Sequence, residues 1–284
     1  MPTAPSTNYT QGYSPATTSS HASRTAQSDA GFLLPHLQPT SHILDIGCGP
    51  ATITVGLAAL VPQGSVTGVE LTEDILALAR QTVASTVPRV SNVTLVKGDV
   101  LSEGGLPFKD GSFDVVFSSQ LFPHLRGRDA KLKALSEMRR VLKPGGILAT
   151  RDAAELHFYP TKYGLDGLWA GNVKRVLGGR GKEGGEDEEG GFPGGQMKGL
   201  YRAVGFDDIS VGGGTTVFSS TEARKWYVNG CLGRLSEGDT YRESWVKAGI
   251  KEGEIEETRR ALQAWGEDED AWYAALQAEV VGRK

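Results

Sequence analysis

One stretch constrains the fold of this chain more than any other, residues 42–52, with the sequence HILDIGCGPAT. An apolar run leads directly into Gly47 and Gly49, and the segment Ala51–Leu60 that follows has the composition of a helix. Glycine in such a turn can take positive φ and has no Cβ to hold a ligand away from the backbone. The stretch therefore predicts a strand, a tight turn and a helix whose first N–H groups face a nucleotide-like cofactor. A strand–helix turn without a ligand is the alternative.

Strand and helix signals alternate over the next hundred residues. Short β-branched or apolar runs predict strands at 65–70, 92–97, 113–119 and from 147 onward. Amphipathic segments predict helices over about 72–84 and 129–142. This alternation is typical of crossover connections around a parallel sheet.

The second half of the chain has a different composition. Residues 178–196 are rich in glycine and acids, which predicts a loop or a disordered insert flanked by helices over 165–176 and 196–204. Two strands, 206–211 and 215–219, are predicted to form a hairpin across Gly212–Gly214, and helices are predicted over 221–232, 254–265 and 268–281. The fold class is α/β, a Rossmann-like seven-stranded, mostly parallel sheet with helices on both faces, an N-terminal helix and a C-terminal helical cap.

Three parts of the chain follow from this pattern. Residues 1–19 are expected to form a flexible tail, 20–220 one domain that includes the insert, and 221–284 a helical cap packed on that domain. A helix over 20–37 would fold over the glycine turn and bring His21, Arg24 and Tyr13 near the ligand. A solvated helix face is the alternative for these three residues.

Composition excludes several classes of function. The formal charge of −4 and a pI of about 5.8 argue against a nucleic-acid-binding surface, which needs a basic patch. No apolar run is as long as a membrane span, and the N-terminus lacks the pattern of a secretory signal. Cys48 and Cys231 do not have the spacing of metal ligands, so reduced thiols, no metal site and a cytoplasmic location are expected.

Polar residues end the first four predicted strands, where ligands of open α/β sheets bind. Glu70 follows the glycine turn by about 20 residues, the position from which an acid accepts hydrogen bonds from ribose. Asp99 could accept from an adenine amino group, and Ser118 with Ser119 ends the fourth strand. Asp45, two residues before the first glycine, could hold the turn or lie near a cationic ligand.

These motifs, taken in order, resemble those of the class I S-adenosylmethionine-dependent methyltransferases. The resemblance covers roughly residues 40–152: LDIGCG at 44–49, Glu70, Gly98-Asp99 and LKPGG at 142–146. Within the class, QLFPHL at 120–125 and the last residues, from Trp272, are similar to small-molecule enzymes related to ubiquinone/menaquinone biosynthesis. The resemblance implies S-adenosylmethionine as cofactor and methyl transfer to an oxygen, nitrogen or carbon of a small-molecule acceptor. It leaves the acceptor and the oligomeric state open.

The resemblance, together with the strand ends, assigns two sets of residues. The predicted cofactor-binding residues are Asp45, Gly47, Cys48, Gly49, Glu70, Leu71, Asp99, Val100, Ser118 and Arg24. Because the methyl of a sulfonium is already activated, transfer needs mainly alignment of nucleophile, methyl and sulfur, and a base only for some acceptors. The predicted catalytic residues are His124, the first candidate for that base, and Asp152, His157 and Tyr159.

Two other functions remain open at this point. A nicotinamide-dependent oxidoreductase shares the glycine turn and the acid after the second strand, but Ala51 and Thr52 stand where its fingerprint needs a glycine. Ala51 also replaces the third glycine of many methyltransferases. A non-methylating regulator or cyclase on the same cofactor-binding fold is the second alternative.

Overall fold

A computed structural model describes residues 24–178 and 191–284. Its strands are β1 (His42–Ile46), β2 (Ser65–Glu70), β3 (Val93–Lys97), β4 (Phe113–Ser119), β5 (Leu142–Tyr159), β6 (Asp208–Phe218) and β7 (Trp272–Arg283). The α-helices are α1 (Ala26–Asp29), α2 (Thr52–Leu60), α3 (Glu73–Ser85), α4 (Gly127–Val141), α5 (Asn172–Gly178), α6 (Met197–Ala203), α7 (Thr221–Arg234), α8 (Thr240–Lys247) and α9 (Glu252–Glu267). A π-helical turn, Asp166–Gly171, leads into α5.

The seven strands form one sheet in the order β3-β2-β1-β4-β5-β7-β6. Strands β1 to β5 pair in parallel, and β7 runs antiparallel to both of its neighbours. The central strands are buried on both faces: Ile43, Leu44 and Val116 have no exposed surface. This arrangement confirms the predicted α/β sheet and places the carboxyl ends of the parallel strands along one edge, where the site lies.

Two predictions for the last part of the sheet are wrong. Residues 208–218 form the single strand β6 rather than a hairpin across Gly212–Gly214. The helix predicted over 268–281 is instead β7, hydrogen-bonded to β5 on one side and to β6 on the other. Alanine, leucine, glutamine and glutamate favour a helix in isolation, but pairing on both sides determines the structure here. The helical segment after residue 220 therefore consists of α7, α8 and α9, and the division of the chain into three parts stays a prediction.

The N-terminal helix is shorter than predicted. In place of one helix up to residue 37, α1 spans four residues and a 3-10 turn follows at Leu34–His36. Helix α1 packs on α2 so closely that a Cβ on Gly56 would lie 2.7 Å from the Cβ of Ala26. The predicted positions of Tyr13, His21 and the tail 1–19 lie outside the described residues.

The C-terminal helices form a second aromatic core with the extended ends of β5 and β7. Trp245 and Trp265 have no exposed surface and pack with Phe158, Trp169 and Tyr241. These helices therefore cover one face of the sheet beyond the carboxyl ends of the parallel strands. None of the helices described reaches the length and apolar character needed to cross a membrane.

Candidate active site

The glycine turn after β1 is built from left-handed residues. Gly47 has φ 71°, Gly49 φ 53° and Ala51, just before α2, φ 64°. A Cβ on Gly49 would meet nothing within 4 Å, so the turn leaves open space there. Ala51 keeps the left-handed conformation that glycine adopts without cost, and its buried methyl packs in the core. The replacement of a third glycine therefore preserves the turn.

The amides of this turn are already hydrogen-bonded within the protein. The N–H groups of Gly47 and Cys48 donate to the carbonyl of Val69, at 2.9 and 3.1 Å, and tie the turn to β2. The Gly49 amide donates to Glu70 Oε2 at 3.1 Å. The turn therefore offers open space at Gly49 beside a carboxylate. That the first N–H groups of α2 face a cofactor stays a prediction. The Cys48 sulfur packs against Gly68, and burial raises the pKa of this thiol well above its usual range.

Glu70 joins the glycine turn to the end of β2. Its other oxygen accepts a hydrogen bond from the Leu71 amide at 2.7 Å. The side chain is half-buried. Burial raises the pKa of Glu70, and the amides of Leu71 and Gly49 act in the opposite direction. The two carboxylate oxygens are thus positioned by the backbone beside the open space at Gly49.

Asp45 lies behind the turn and is only 2 % exposed. Its Oδ2 accepts a hydrogen bond from Thr54 Oγ1 on α2 at 2.7 Å. Burial raises the pKa of Asp45 to about 7; the Thr54 hydrogen bond lowers it, and the neighbouring charge of Glu70 raises it. Asp45 thus connects β1 to α2 and adds a second carboxyl group to the site.

The remaining predicted cofactor residues lie at the ends of β3 and β4. Asp99 is exposed, and its Oδ1 accepts from the Leu101 amide at 2.8 Å, while Val100 is buried. Ser118 and Ser119 are buried, and neither hydroxyl has a hydrogen-bond partner among the described residues. Buried hydroxyls are normally hydrogen-bonded, so these two suit a bound polar molecule.

The turn after β4 carries His124. A 3-10 turn at Phe122–His124 holds its half-buried imidazole, and burial lowers its pKa to about 4, with a smaller effect from the charge of Arg24. Asp152 on β5 fixes this turn, because its Oδ1 accepts from the Phe122 amide at 3.1 Å. Asp152 is fully buried, and desolvation raises its pKa to about 7.

The other two predicted catalytic residues lie elsewhere. His157 and Tyr159 follow Asp152 by five and seven residues on β5, about 16 and 23 Å at the usual rise of a strand. The half-exposed His157 contacts Asp166 Oδ2 through Nδ1 at 3.1 Å, and Tyr159 stacks on Trp272 with ring centroids 4.2 Å apart. The structure does not bring these two side chains to the glycine turn.

A cavity of about 680 Å³ opens beside the His124 turn, between the β5-β7-β6 part of the sheet and the C-terminal helices. Gln120 and Pro123 line one end, and Phe192, from the predicted insert, lines a wall. Gln120 has φ 56° and donates through Nε2 to Gln277 Oε1 at 2.6 Å. Sequence patterns could not reveal this pair, because its two residues are 157 positions apart.

A buried ionic network lies on the same wall. The guanidinium of Arg151, 3 % exposed, donates to Asp29 Oδ1 at 3.0 Å and to Glu279 Oε1 at 3.3 Å. It joins α1 to β5 and β7, so the short N-terminal helix is attached to the sheet at the rim of the cavity. No cluster of three or more potential metal ligands occurs in residues 24–178 and 191–284.

Several known proteins are similar to this chain in sequence or in fold. A family model described as a methyltransferase domain matches residues 43–146. A probable methyltransferase, ltbC of Aspergillus luteorubrus, is 41% identical over 289 residues, which cover 99% of each chain. The chain belongs to the class I S-adenosylmethionine-dependent methyltransferases.

Two further proteins are similar to this methyltransferase, one in sequence and one in fold. Demethylmenaquinone methyltransferase of Staphylococcus epidermidis is 34% identical over 183 residues, 62% of this chain and 72% of that protein. The YcgJ protein of Bacillus subtilis has the same fold, with a TM-score of 0.56 and 17% identity over 89% of this chain and 97% of its own.

The methyltransferase has a site that fits its cofactor, S-adenosylmethionine. The open space at Gly49, the carboxylate of Glu70 and the buried hydroxyls of Ser118 and Ser119 adjoin the carboxyl ends of three neighbouring strands, β2, β1 and β4. Carboxyl groups suit a ligand that carries a sulfonium and an ammonium charge. The residues present are therefore compatible with the cofactor in both polarity and space.

Proposed function

We propose that this methyltransferase acts on a small-molecule acceptor that enters the cavity beside His124. The main support for the proposal is that Gln120 and Pro123, beside and within the His124 turn, both line that cavity. Its volume, about 680 Å³, is within the range of small-molecule sites. S-adenosylmethionine, when bound, supplies a methyl group on a positively charged sulfur.

The cofactor would be held along the edge of the sheet. Glu70 is proposed to accept hydrogen bonds from the ribose, with Gly47, Cys48 and Gly49 leaving room for it. Leu71, Asp99 and Val100 would contact the adenine. Asp45 and Ser118 would lie toward the methionine end, and Arg24 would pair with its carboxylate.

His124 is proposed to face the reacting atoms. With a pKa of about 4, its imidazole is neutral at pH 7 and can accept the proton that a hydroxyl acceptor loses, because a methylated hydroxyl oxygen is a much stronger acid than this imidazolium. Held by Glu70 and the glycine turn, the cofactor would supply the methyl group and its sulfur would be the leaving group. His124 would accept the proton that the acceptor loses. Asp152 is proposed as a positioning residue, because its hydrogen bond to the Phe122 amide fixes the turn that carries His124.

Binding and transfer can be tested separately. We expect calorimetric titration to show saturable binding of S-adenosylmethionine and S-adenosylhomocysteine and no binding of NADH. We expect radiolabelled methyl to appear in at least one member of a panel of aromatic acids, phenols and amines. Binding of the cofactor with no product from any acceptor would favour the regulator or cyclase, and binding of NADH alone would contradict the proposal.

A further inference from the structure

The cavity extends along β7. Tyr273, Ala275 and Gln277 all line it, and because alternate residues of a strand share a face, they mark one wall. At the usual rise of about 3.4 Å per residue, the four-residue step between Gln277 and Tyr273 spans about 14 Å. Gln277 bonds to Gln120 at the end near the His124 turn, so Tyr273 marks the distal end.

From Ala275 to the distal end the lining of the cavity is apolar and aromatic. Leu156 of β5, Phe218 of β6 and Tyr227 of α7 line it. The ring of Phe218 stacks on that of Tyr273, with centroids 5.6 Å apart and planes 13° apart. Flat walls of this kind favour a flat, unsaturated body over a branched one.

Arg234, at the end of α7, lines the distal end of the cavity. Its guanidinium lies over the rings of Trp169 and Tyr241, at 5.8 and 5.5 Å from their centroids. Its Nε donates to the Gly230 carbonyl at 3.3 Å. Within residues 24–178 and 191–284 it forms no ion pair with a carboxylate.

The groups that face Arg234 from the neighbouring elements are neutral at pH 7. Tyr227, Tyr241, Tyr273 and Cys231 surround the charge, and burial raises the pKa of each. Burial raises the pKa of Tyr241, whose ring lies under the guanidinium, to about 12. A cation held among neutral groups costs free energy that an incoming anion would offset.

The acidic residues of the cavity do not supply that anion. Asp29 is already paired with Arg151. Glu222 is exposed in the first turn of α7, twelve residues before Arg234, or about 18 Å along the helix. Arg151 and the half-buried Arg234 thus differ: Arg151 is paired with Asp29 and Glu279, and Arg234 has no carboxylate partner among the described residues.

We propose that the methyl acceptor is an elongated, flat molecule with a carboxylate at the end remote from the methylated atom, and that Arg234 binds this carboxylate. The inference rests on the proposed function, because it places the methylated atom beside His124. A guanidinium offers a planar pair of donors that matches a carboxylate and is poorly matched by an amide.

The test uses one pair of probes, 4′-hydroxybiphenyl-4-carboxylate and its primary amide, titrated into the full chain saturated with S-adenosylhomocysteine. The two probes have the same shape and differ in charge. We expect the acid to bind at least tenfold more tightly than the amide. Arg234→Gln is expected to reduce this ratio to about one, and Arg234→Lys is expected to retain part of it. Arg202→Gln, which removes an exposed charge from α6, should leave the ratio unchanged.

Equal binding of acid and amide to the unmodified protein, or no saturable binding of the acid, would overturn the inference. So would an unchanged ratio in Arg234→Gln. We measure the melting temperature and the affinity for S-adenosylhomocysteine of each variant to show whether Arg234→Gln still folds. If it does not fold, the inference is judged on the ratio of acid to amide affinity in Arg234→Lys and in the parent protein. Failure of the parent protein to bind S-adenosylhomocysteine would instead contradict the proposed function.

Discussion

The carboxylate of Glu70 accepts a hydrogen bond from the Gly49 amide at 3.1 Å, across 21 residues of sequence. This bond links the end of β2 to the glycine turn after β1. The same carboxylate accepts from the Leu71 amide, so its position is set by the backbone on two sides. The acid proposed to hold the ribose is therefore also part of the turn that makes room for the cofactor.

Substitution of Glu70 should weaken cofactor binding. Glu70→Ala is expected to reduce the affinity for S-adenosylmethionine by about 1–3 kcal/mol, because it leaves polar partners unpaired, and Glu70→Gln by less, because it keeps one acceptor oxygen. Isothermal titration measures both. Glu73→Gln, an exposed acid paired with Arg80, is the matched control and should bind normally. Unchanged affinity in Glu70→Ala would contradict the proposal that Glu70 binds the ribose.

A methyl group on Gly49 should block the cofactor more than it disturbs the fold. Gly49→Ala meets no protein atom within 4 Å, and its left-handed φ of 53° costs about 1–2 kcal/mol for alanine. We expect at least a tenfold loss of cofactor affinity with a small fall in melting temperature. Gly238→Ala is the control, because Gly238 also has a left-handed φ, 80°, and an added Cβ there would also meet nothing within 4 Å. Equal affinities in the two variants would mean that the cofactor does not approach Gly49.

His124→Ala should lower turnover more than cofactor affinity. We expect a fall in kcat of at least tenfold, within the range for a proton acceptor, and little change in the Kd of S-adenosylhomocysteine. Because the pKa of His124 is about 4, the parent enzyme should show no loss of rate from this group between pH 5 and 8. His36→Ala, beside His42 at the opposite end of β1, is the control. Equal turnover in His124→Ala and the parent would mean that His124 only shapes the wall of the site and accepts no proton.

The buried carboxyl of Asp152 should make stability depend on pH in a defined direction. Its folded pKa of about 7 lies above the unfolded value of 3.8, so the folded state binds more protons between these values. The contribution of Asp152 to the free energy of unfolding therefore falls as pH rises from 4 to 7. Relative to the parent, Asp152→Asn should gain about 2–3 kcal/mol of unfolding free energy between pH 5 and pH 8.

Urea denaturation of Asp152→Asn and the parent at both pH values measures that gain. Taking the difference between two pH values cancels any constant cost of the amide in the buried site, and the opposing contribution of His124 is common to both proteins. Glu155→Gln, on the same strand and paired with Lys174 at a half-exposed position, should show no such gain. A difference between variant and parent that stays constant with pH would contradict a raised pKa for Asp152.

The first half of the fold could be predicted because its signals are local. Strands β1 to β4 are short apolar runs that end at glycine or at a polar residue, and the acids at their ends are found by counting from Gly47. A parallel strand that is buried on both faces is recognisable in its own segment, because nearly all of its residues are apolar. The sequence alone therefore predicts the position of Glu70, and the structure adds its contact with Gly49.

The second half could not be predicted to the same degree because pairing over long distances determines it. Segment 272–283 contains residues that favour a helix and becomes a strand only between β5 and β6. Arg234 belongs to no sequence motif, and the QLFPHL stretch that contains Gln120 does not reveal its partner Gln277; both positions depend on the cavity that β7 completes. His157 and Tyr159 were singled out by position after the fifth strand, but β5 continues to Tyr159 and carries them past the site.

The position of β7 has a consequence for the order in which the protein is assembled. Strand β6 leaves the ribosome before β7, yet it has no place beside β5 until β7 arrives to separate them. Strands β1 to β5 are all made before β7, whereas the cavity beside the His124 turn needs β7 for one of its walls. The part of the sheet that carries the glycine turn is therefore synthesised first, and the cavity can be completed only when the last strand has been made.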